Sequence, residues 1–176
     1  MPATLSHFEI KVRDVAAMED FYTRILGFAV TDRGGEGRRM VFLSAAPGEH
    51  HQIVLAEAKA GEPGRGSLDH LAFRVDDLKR LRAHHARLKA EGGDVEMVSH
   101  GTTWSVYFRD PEGNRLELFV DTPWHVAQPV RFAVDLGQPD DALIVWTEKK
   151  IAALPGFQPR ARWLKGHRRR VAPKAD

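Results

Sequence analysis

The feature that most constrains this chain is an internal repeat. His7 to Asp14 (HFEIKVRD) and His70 to Asp77 (HLAFRVDD) share the pattern His-x-x-apolar-basic-Val-x-Asp at an offset of 63 residues. Each copy then runs into an amphipathic stretch. Met18, Phe21, Tyr22 and Ile25 recur at three- and four-residue spacing in the first, and Leu78, Leu81 and Leu88 form an apolar stripe in the second, so helices are predicted over Val15–Leu26 and Leu78–Leu88. Gly27 and the Gly92-Gly93 pair stop them, because glycine takes the positive φ of a helix end without strain.

Three short strands are expected after each helix. They are Phe28–Asp32, Met40–Leu43 and Gln52–Ala56 in the first copy, and Val95–Val98, Ser105–Phe108 and Leu116–Val120 in the second, with DPEGN as a turn before the last. The unit is βαβββ, twice. The expected fold is α+β: two tandem βαβββ modules, 4–57 and 68–121, forming a curled mixed sheet around a metal-containing cavity, with a C-terminal extension over 122–176. Ala58–Ser67 (AKAGEPGRGS) reads as the linker. In the extension a solitary helix is expected over Asp141–Leu154.

The 176 residues contain no cysteine, which excludes disulfides and CxxC redox chemistry, and 43% are hydrophobic, enough for one soluble domain with its own core. The start, MPATLSHFEIKV, lacks the basic and long apolar stretches of a signal peptide, and no apolar run would span a bilayer, so a cytoplasmic protein without a membrane partner is expected. Charge is uneven. Between Gln158 and Asp176, seven Arg and Lys face one Asp, so +6 of charge sits there and the overall +2 leaves −4 on the remainder. No helix-turn-helix pattern, zinc-finger spacing or aromatic-basic interleaving accompanies this end, so it reads as a solvated tail rather than a nucleic-acid site.

Strand alternation assigns the faces. Phe8, Ile10 and Val12 oppose His7, Glu9 and Lys11; Leu71, Phe73 and Val75 oppose His70, Ala72 and Arg74; Leu116, Leu118 and Val120 oppose Glu117. With helices on the apolar faces, His7, His70 and Glu117 all point into the cavity. Two histidines and one carboxylate suit a divalent first-row metal and leave positions open, with iron(II), manganese(II), zinc and nickel all compatible. The competing reading is that each histidine caps a strand and Glu117 is solvated.

These residues resemble the vicinal oxygen chelate superfamily, the glyoxalase, bleomycin-resistance and extradiol dioxygenase group, over about Leu5 to Asp121. LSHFEIKVRDVAAMEDFYTRILGF is similar to the start of a first module and VYFRDPEGNRLELF to the end of a second. The resemblance implies that His7, His70 and Glu117 are metal ligands. The place of the fourth ligand of glyoxalase I falls on Val54, which implies a three-ligand site.

Within that superfamily the chain is most similar to type I extradiol dioxygenases, on His50-His51 opening the fourth strand, His100-Gly101 before the seventh, and Tyr107 ten residues before Glu117. The resemblance implies iron(II), dioxygen and a small dihydroxylated aromatic substrate, with His51 as acid and base and with His100 and Tyr107 hydrogen-bonding the substrate oxygen. By strict alternation from Val54, His50 faces the cavity and His51 does not; only a bulge or the strand start turns His51 inward. His50-His51 as a polar hairpin, Tyr107 as a lining residue and a solvated His100 are the competing readings. Trp124 and His125, just past the ligand strand, are expected at the substrate entrance, or Trp124 anchors the extension. His84, His85 and His167 read as surface. The alternative functions are a glyoxalase-, epimerase- or transferase-type metalloenzyme of the same superfamily, and a ligand-sequestering protein. A homo-oligomer is left open.

Overall fold

The computed structural model describes residues 5–34, 37–59 and 69–171, with the side chains of 168–171 left aside. The expected linker therefore lies, after Lys59, almost wholly outside the described residues, as does the chain end from 172 on. Two compact units are formed, one from the described residues up to Leu71 together with Arg109–Arg115, the other from Ala72–Phe108 and the residues from Leu116 onward. Both repeats fold as βαβββ.

In the first unit, β1 (Phe8–Val12) leads into α1 (Val15–Asp20), which continues as a π-helical stretch over Phe21–Ile25. Val15, Met18, Tyr22 and Ile25 are its buried residues; of the stripe read from the sequence, Met18, Tyr22 and Ile25 are buried and Phe21 is only partly so. Asp14 caps the start, its Oδ1 accepting from the N–H groups of Ala16 and Ala17 at 3.0 Å. Gly27, at φ 82°, carries the chain out of the helix. β2 (Ala29–Gly34), β3 (Met40–Ser44) and β4 (Ile53–Glu57) complete a four-stranded sheet of order β1-β4-β3-β2. β1 runs parallel to β4, from Phe8 opposite Ile53 to Val12 opposite Glu57, a pairing that requires a long crossover such as the one α1 begins. Ile53 to Ala56 are all buried, as an interior strand covered on both faces requires.

The DPEGN turn belongs to this same unit and does more than reverse the chain. Asp110 accepts from the N–H groups of Glu112 and Asn114, from the Asn114 side-chain amide, and from the hydroxyl of fully buried Tyr22 at 3.4 Å. Burial pushes the Asp110 carboxyl up, against the pull of those donors, and burial and then the Asp110 charge push the Tyr22 phenol up. Glu112 Oε1 accepts from the N–H groups of Arg13 and Asp14, at 2.5 and 2.7 Å, where β1 hands over to α1. Glu112→Ala leaves both donors without that acceptor and is expected to lower the unfolding free energy by about 1–3 kcal/mol in urea titrations. Glu112→Gln, which keeps a carbonyl oxygen there, should recover most of the loss; equal losses in the two variants would refute the assignment.

The second repeat, all but Leu71, Arg109 and Arg115 of it in the second unit, follows the same pattern with β5 (Leu71–Arg74), α2 (Leu78–Ala90), β6 (Glu96–Ser99), β7 (Thr103–Arg109) and β8 (Arg115–Asp121). Asp77 caps α2 by accepting from Arg80 N–H at 2.7 Å. His84 and His85 are partly buried on this helix, and burial pushes His85 below the ordinary imidazole range, helped by Lys89.

The extension departs from expectation. It adds an edge strand, β10 (Phe132–Ala133), antiparallel to β6, so the second sheet has the order β10-β6-β7-β8-β5. The expected helix is present as α3 (Asp140–Ile151), its Thr147 hydroxyl accepting from the Trp104 indole N–H at 2.9 Å. It is not solitary. The basic end forms a second helix, α4 (Arg160–Val171), where a solvated tail was expected. The reason is an aromatic seam: Trp163 stacks between His125 and His167 with ring centroids 4.4 and 4.5 Å apart, so His167 is partly covered in that seam. Arg160 adds an ion pair to Asp121 at 2.8 Å. Among the described residues no helix is long and apolar enough to cross a membrane.

Candidate active site

In the first unit, β4 begins at Ile53, so His50 and His51 precede the strand proper. Alternation therefore does not govern His51, and its ring lies 4.4 Å from that of His7, which immediately precedes β1. Phe42, on β3, packs edge-on against His50 and His51, and the Nδ1 atoms of the two histidines are 2.9 Å apart, so one donates and the other accepts. Loss of hydration, then the neighbouring His7 and His50, pull His51 below the ordinary imidazole range, with Glu49 opposing. Its ring is neutral at neutral pH and able to accept a proton. Val54 stands opposite Glu9 and Phe42 and is buried.

His70 belongs to this unit as well. Its Nδ1 lies 2.7 Å from Asp69 Oδ1, and the same oxygen accepts from Arg115 Nη1 at 3.1 Å. The bond to His70, supported by Arg115, holds the Asp69 carboxyl below its usual range. Since a carboxylate only accepts, Nδ1 is the donor in this pair, and the ring nitrogen to be offered to a metal is Nε2.

In the second unit, β7 and β8 bring three of the expected residues together. Tyr107 and Glu117 are both buried, and His100 stands in the turn between β6 and β7. His100 Nε2 lies 3.0 Å from the Tyr107 hydroxyl and 4.0 Å from Glu117 Oε1. His100 Nδ1 is 2.7 Å from the Val130 carbonyl, which can only accept, so Nδ1 bears the proton and Nε2 accepts from the Tyr107 O–H. Sequence reasoning missed Val130, because a backbone acceptor leaves no trace in residue identity. It missed Arg131 too, whose guanidinium lies 5.2 Å from the centre of the Tyr107 ring.

The glycine after His100 has a structural reason. Gly101 sits at φ 72°, and a Cβ there would come within 2.7 Å of Val126 Cγ2 and 3.2 Å of Ile151 Cγ2. The turn is pinned further by Thr122 Oγ1, which donates to the Gly101 carbonyl at 2.6 Å, and by Ser99 Oγ, which accepts from Gly101 N–H at 3.1 Å. Trp124 is buried in β9 (Trp124–His125), which pairs with β11 (Gln158–Pro159), and His125 carries the stack with Trp163.

The donor types of His7, His70 and Glu117 fit a divalent first-row metal: two imidazoles, one of them oriented by a carboxylate as metal-binding histidines commonly are, and a buried carboxylate. His7 and His70 belong to one compact unit and Glu117 to the other. Among the described residues no group of three or more His, Asp or Glu side chains stands within holding distance of one ion.

The family model for the glyoxalase/bleomycin resistance protein/dioxygenase superfamily matches residues 4–118. Biphenyl-2,3-diol 1,2-dioxygenase 3 of Rhodococcus globerulus is 33% identical over 123 residues, 66% of this chain and 63% of that protein, so the chain spans less than two thirds of that relative's length. Among solved structures, the glyoxylase/bleomycin resistance protein/dioxygenase domain from Frankia sp. EAN1pec superposes with a TM-score of 0.61 at 28% identity, over 71% of this chain and 96% of that one. Glyoxalase I of Leishmania major superposes at 0.56 with 20% identity, over 68% and 87%, and shares the fold. With both βαβββ repeats inside the matched span up to the last residues of β8, the chain belongs to the glyoxalase/bleomycin resistance protein/dioxygenase superfamily.

Proposed function

We propose that this chain is an iron(II)-dependent extradiol-type dioxygenase that opens a catecholic ring with dioxygen. The observation that carries the reading is the hydrogen-bonded pair of His100 and Tyr107 beside the Glu117 carboxylate. A relative at 33% identity that is a biphenyl-diol dioxygenase supports it, and so does Val54 in place of a fourth ligand. His7, His70 and Glu117 are the proposed ligands. When bound there, iron(II) supplies Lewis acidity toward the two catechol oxygens and a route for electrons from ring to dioxygen.

The chain's own residues handle protons. A catechol must lose its hydroxyl protons to chelate. Neutral His51 takes one and returns it later as an acid, a role that needs a group titrating near working pH. The other passes through Tyr107: a substrate O–H donates to the Tyr107 oxygen while the Tyr107 O–H donates to His100 Nε2. Once the protons have shifted, the Tyr107 O–H faces the substrate oxygen on which charge has formed and holds that charge without further reorganisation.

The test is anaerobic reconstitution of the full chain with iron(II), followed by oxygen uptake with a panel of substituted catechols. One dioxygen consumed per ring and a coloured semialdehyde are expected. Conversion that needs no oxygen, such as isomerisation of a hemithioacetal or epimerisation of a thioester, would replace this reading with a Lewis-acid enzyme of the same superfamily.

A further inference from the structure

We propose that the segment Gln128–Arg131 of the C-terminal extension, outside residues 4–118 matched by the family model, is a positioning element that fixes the His100 tautomer through Gln128. This inference rests on the proton path proposed above. The Gln128 side chain spans the two partners. Its Nε2 donates to the His100 carbonyl at 2.9 Å, and its Oε1 accepts from Val130 N–H at 2.9 Å. One exposed side chain thereby ties the Val130 peptide to the turn that carries His100, and the Val130 carbonyl receives the Nδ1 proton at 2.7 Å. The next residue is tied on as well: Arg131 lies over the Tyr107 ring and pairs with Glu96 at 2.6 Å. Phe132 then continues into the pairing with Ser99.

The tautomer decides the direction of the proton path. With the proton on Nδ1, Nε2 accepts from Tyr107, and the phenol oxygen turns its lone pairs toward a donor. With the proton on Nε2, which an unconstrained neutral imidazole prefers, His100 would donate to Tyr107, and Tyr107 could not pass a proton to it. A carbonyl held against Nδ1 removes the second arrangement. Orienting partners of this kind typically affect activity by about 10–100-fold.

The experiment is nitrogen NMR on full-length, metal-free protein labelled at histidine, using long-range proton-nitrogen correlations that distinguish protonated from unprotonated ring nitrogens. In the wild type, His100 is expected to show a protonated Nδ1 and a bare Nε2. In Gln128→Ala, with an otherwise unchanged amide spectrum, the proton should shift largely to Nε2, and turnover of the iron-loaded enzyme should fall about 10-fold at unchanged KM. A purely structural role would not move the tautomer. A wild-type His100 protonated at Nε2, or a Gln128→Ala spectrum identical to the wild type, overturns the proposal. If the tautomer responds as expected but no catechol is cleaved, the dioxygenase reading falls and the positioning role of Gln128 stands.

Discussion

His51→Ala is expected to lower turnover of a ring-cleaved catechol by about 100- to 10,000-fold, the usual contribution of a positioned acid or base, while bound iron stays level with the wild type. The ring stands in contact with His7 and is bridged to His50 through Nδ1, so its second nitrogen is the one available for substrate in this reading. Three effects lower its proton affinity: loss of hydration first, then His7 and His50. The acid limb of the rate profile should therefore lie below the ordinary imidazole value of about 6.5, because the base stays unprotonated to lower pH. Tyr107→Phe removes one hydroxyl and should cost less than His51→Ala. A full complement of iron with undiminished turnover in His51→Ala would remove the residue from the mechanism.

Much of this arrangement was legible in the sequence because it depends on periodicity. The three- and four-residue spacing of Met18, Tyr22 and Ile25, and the alternation around Glu117, reflect burial, which acts on residue type directly. His51 was the instructive case: alternation from Val54 pointed it away, and only the strand starting at Ile53 frees it to meet His7. Long-range polar contacts were not legible. DPEGN reads as a turn, yet nothing local says that Glu112 seals the start of a helix 98 residues earlier in the chain. The basic end hid its helix for a related reason. Trp163 and His167 stand among the Arg and Lys residues that dominate this end in composition, and the seam in which Trp163 stacks on His125 and His167 on Trp163 forms beside the pairing of β11 with β9. The Val130 carbonyl has no signature in sequence, since every residue carries one.

His70→Ala is expected to reduce iron(II) bound by the reconstituted protein from a single equivalent per chain to background, and oxygen uptake with it. Alanine removes a nitrogen donor that no neighbouring group replaces in kind, since Asp69 is engaged with Arg115 and offers oxygen. The more discriminating variant is Asp69→Asn. The carboxylate holds His70 by its Nδ1 proton and raises the donor strength of Nε2; asparagine keeps an acceptor oxygen there but loses the charge. Outer partners of metal-binding histidines typically change affinity by about 10- to 100-fold, so Asp69→Asn should still bind one iron, at correspondingly higher free-metal concentration. If the Asp69 carboxylate acted only as a surface partner of Arg115, its replacement would leave metal affinity unchanged. Full iron occupancy in His70→Ala would show that the repeat places this histidine at the head of β5 for a reason other than metal, and the ligand set would then have to be sought among His7, His50 and His51 instead.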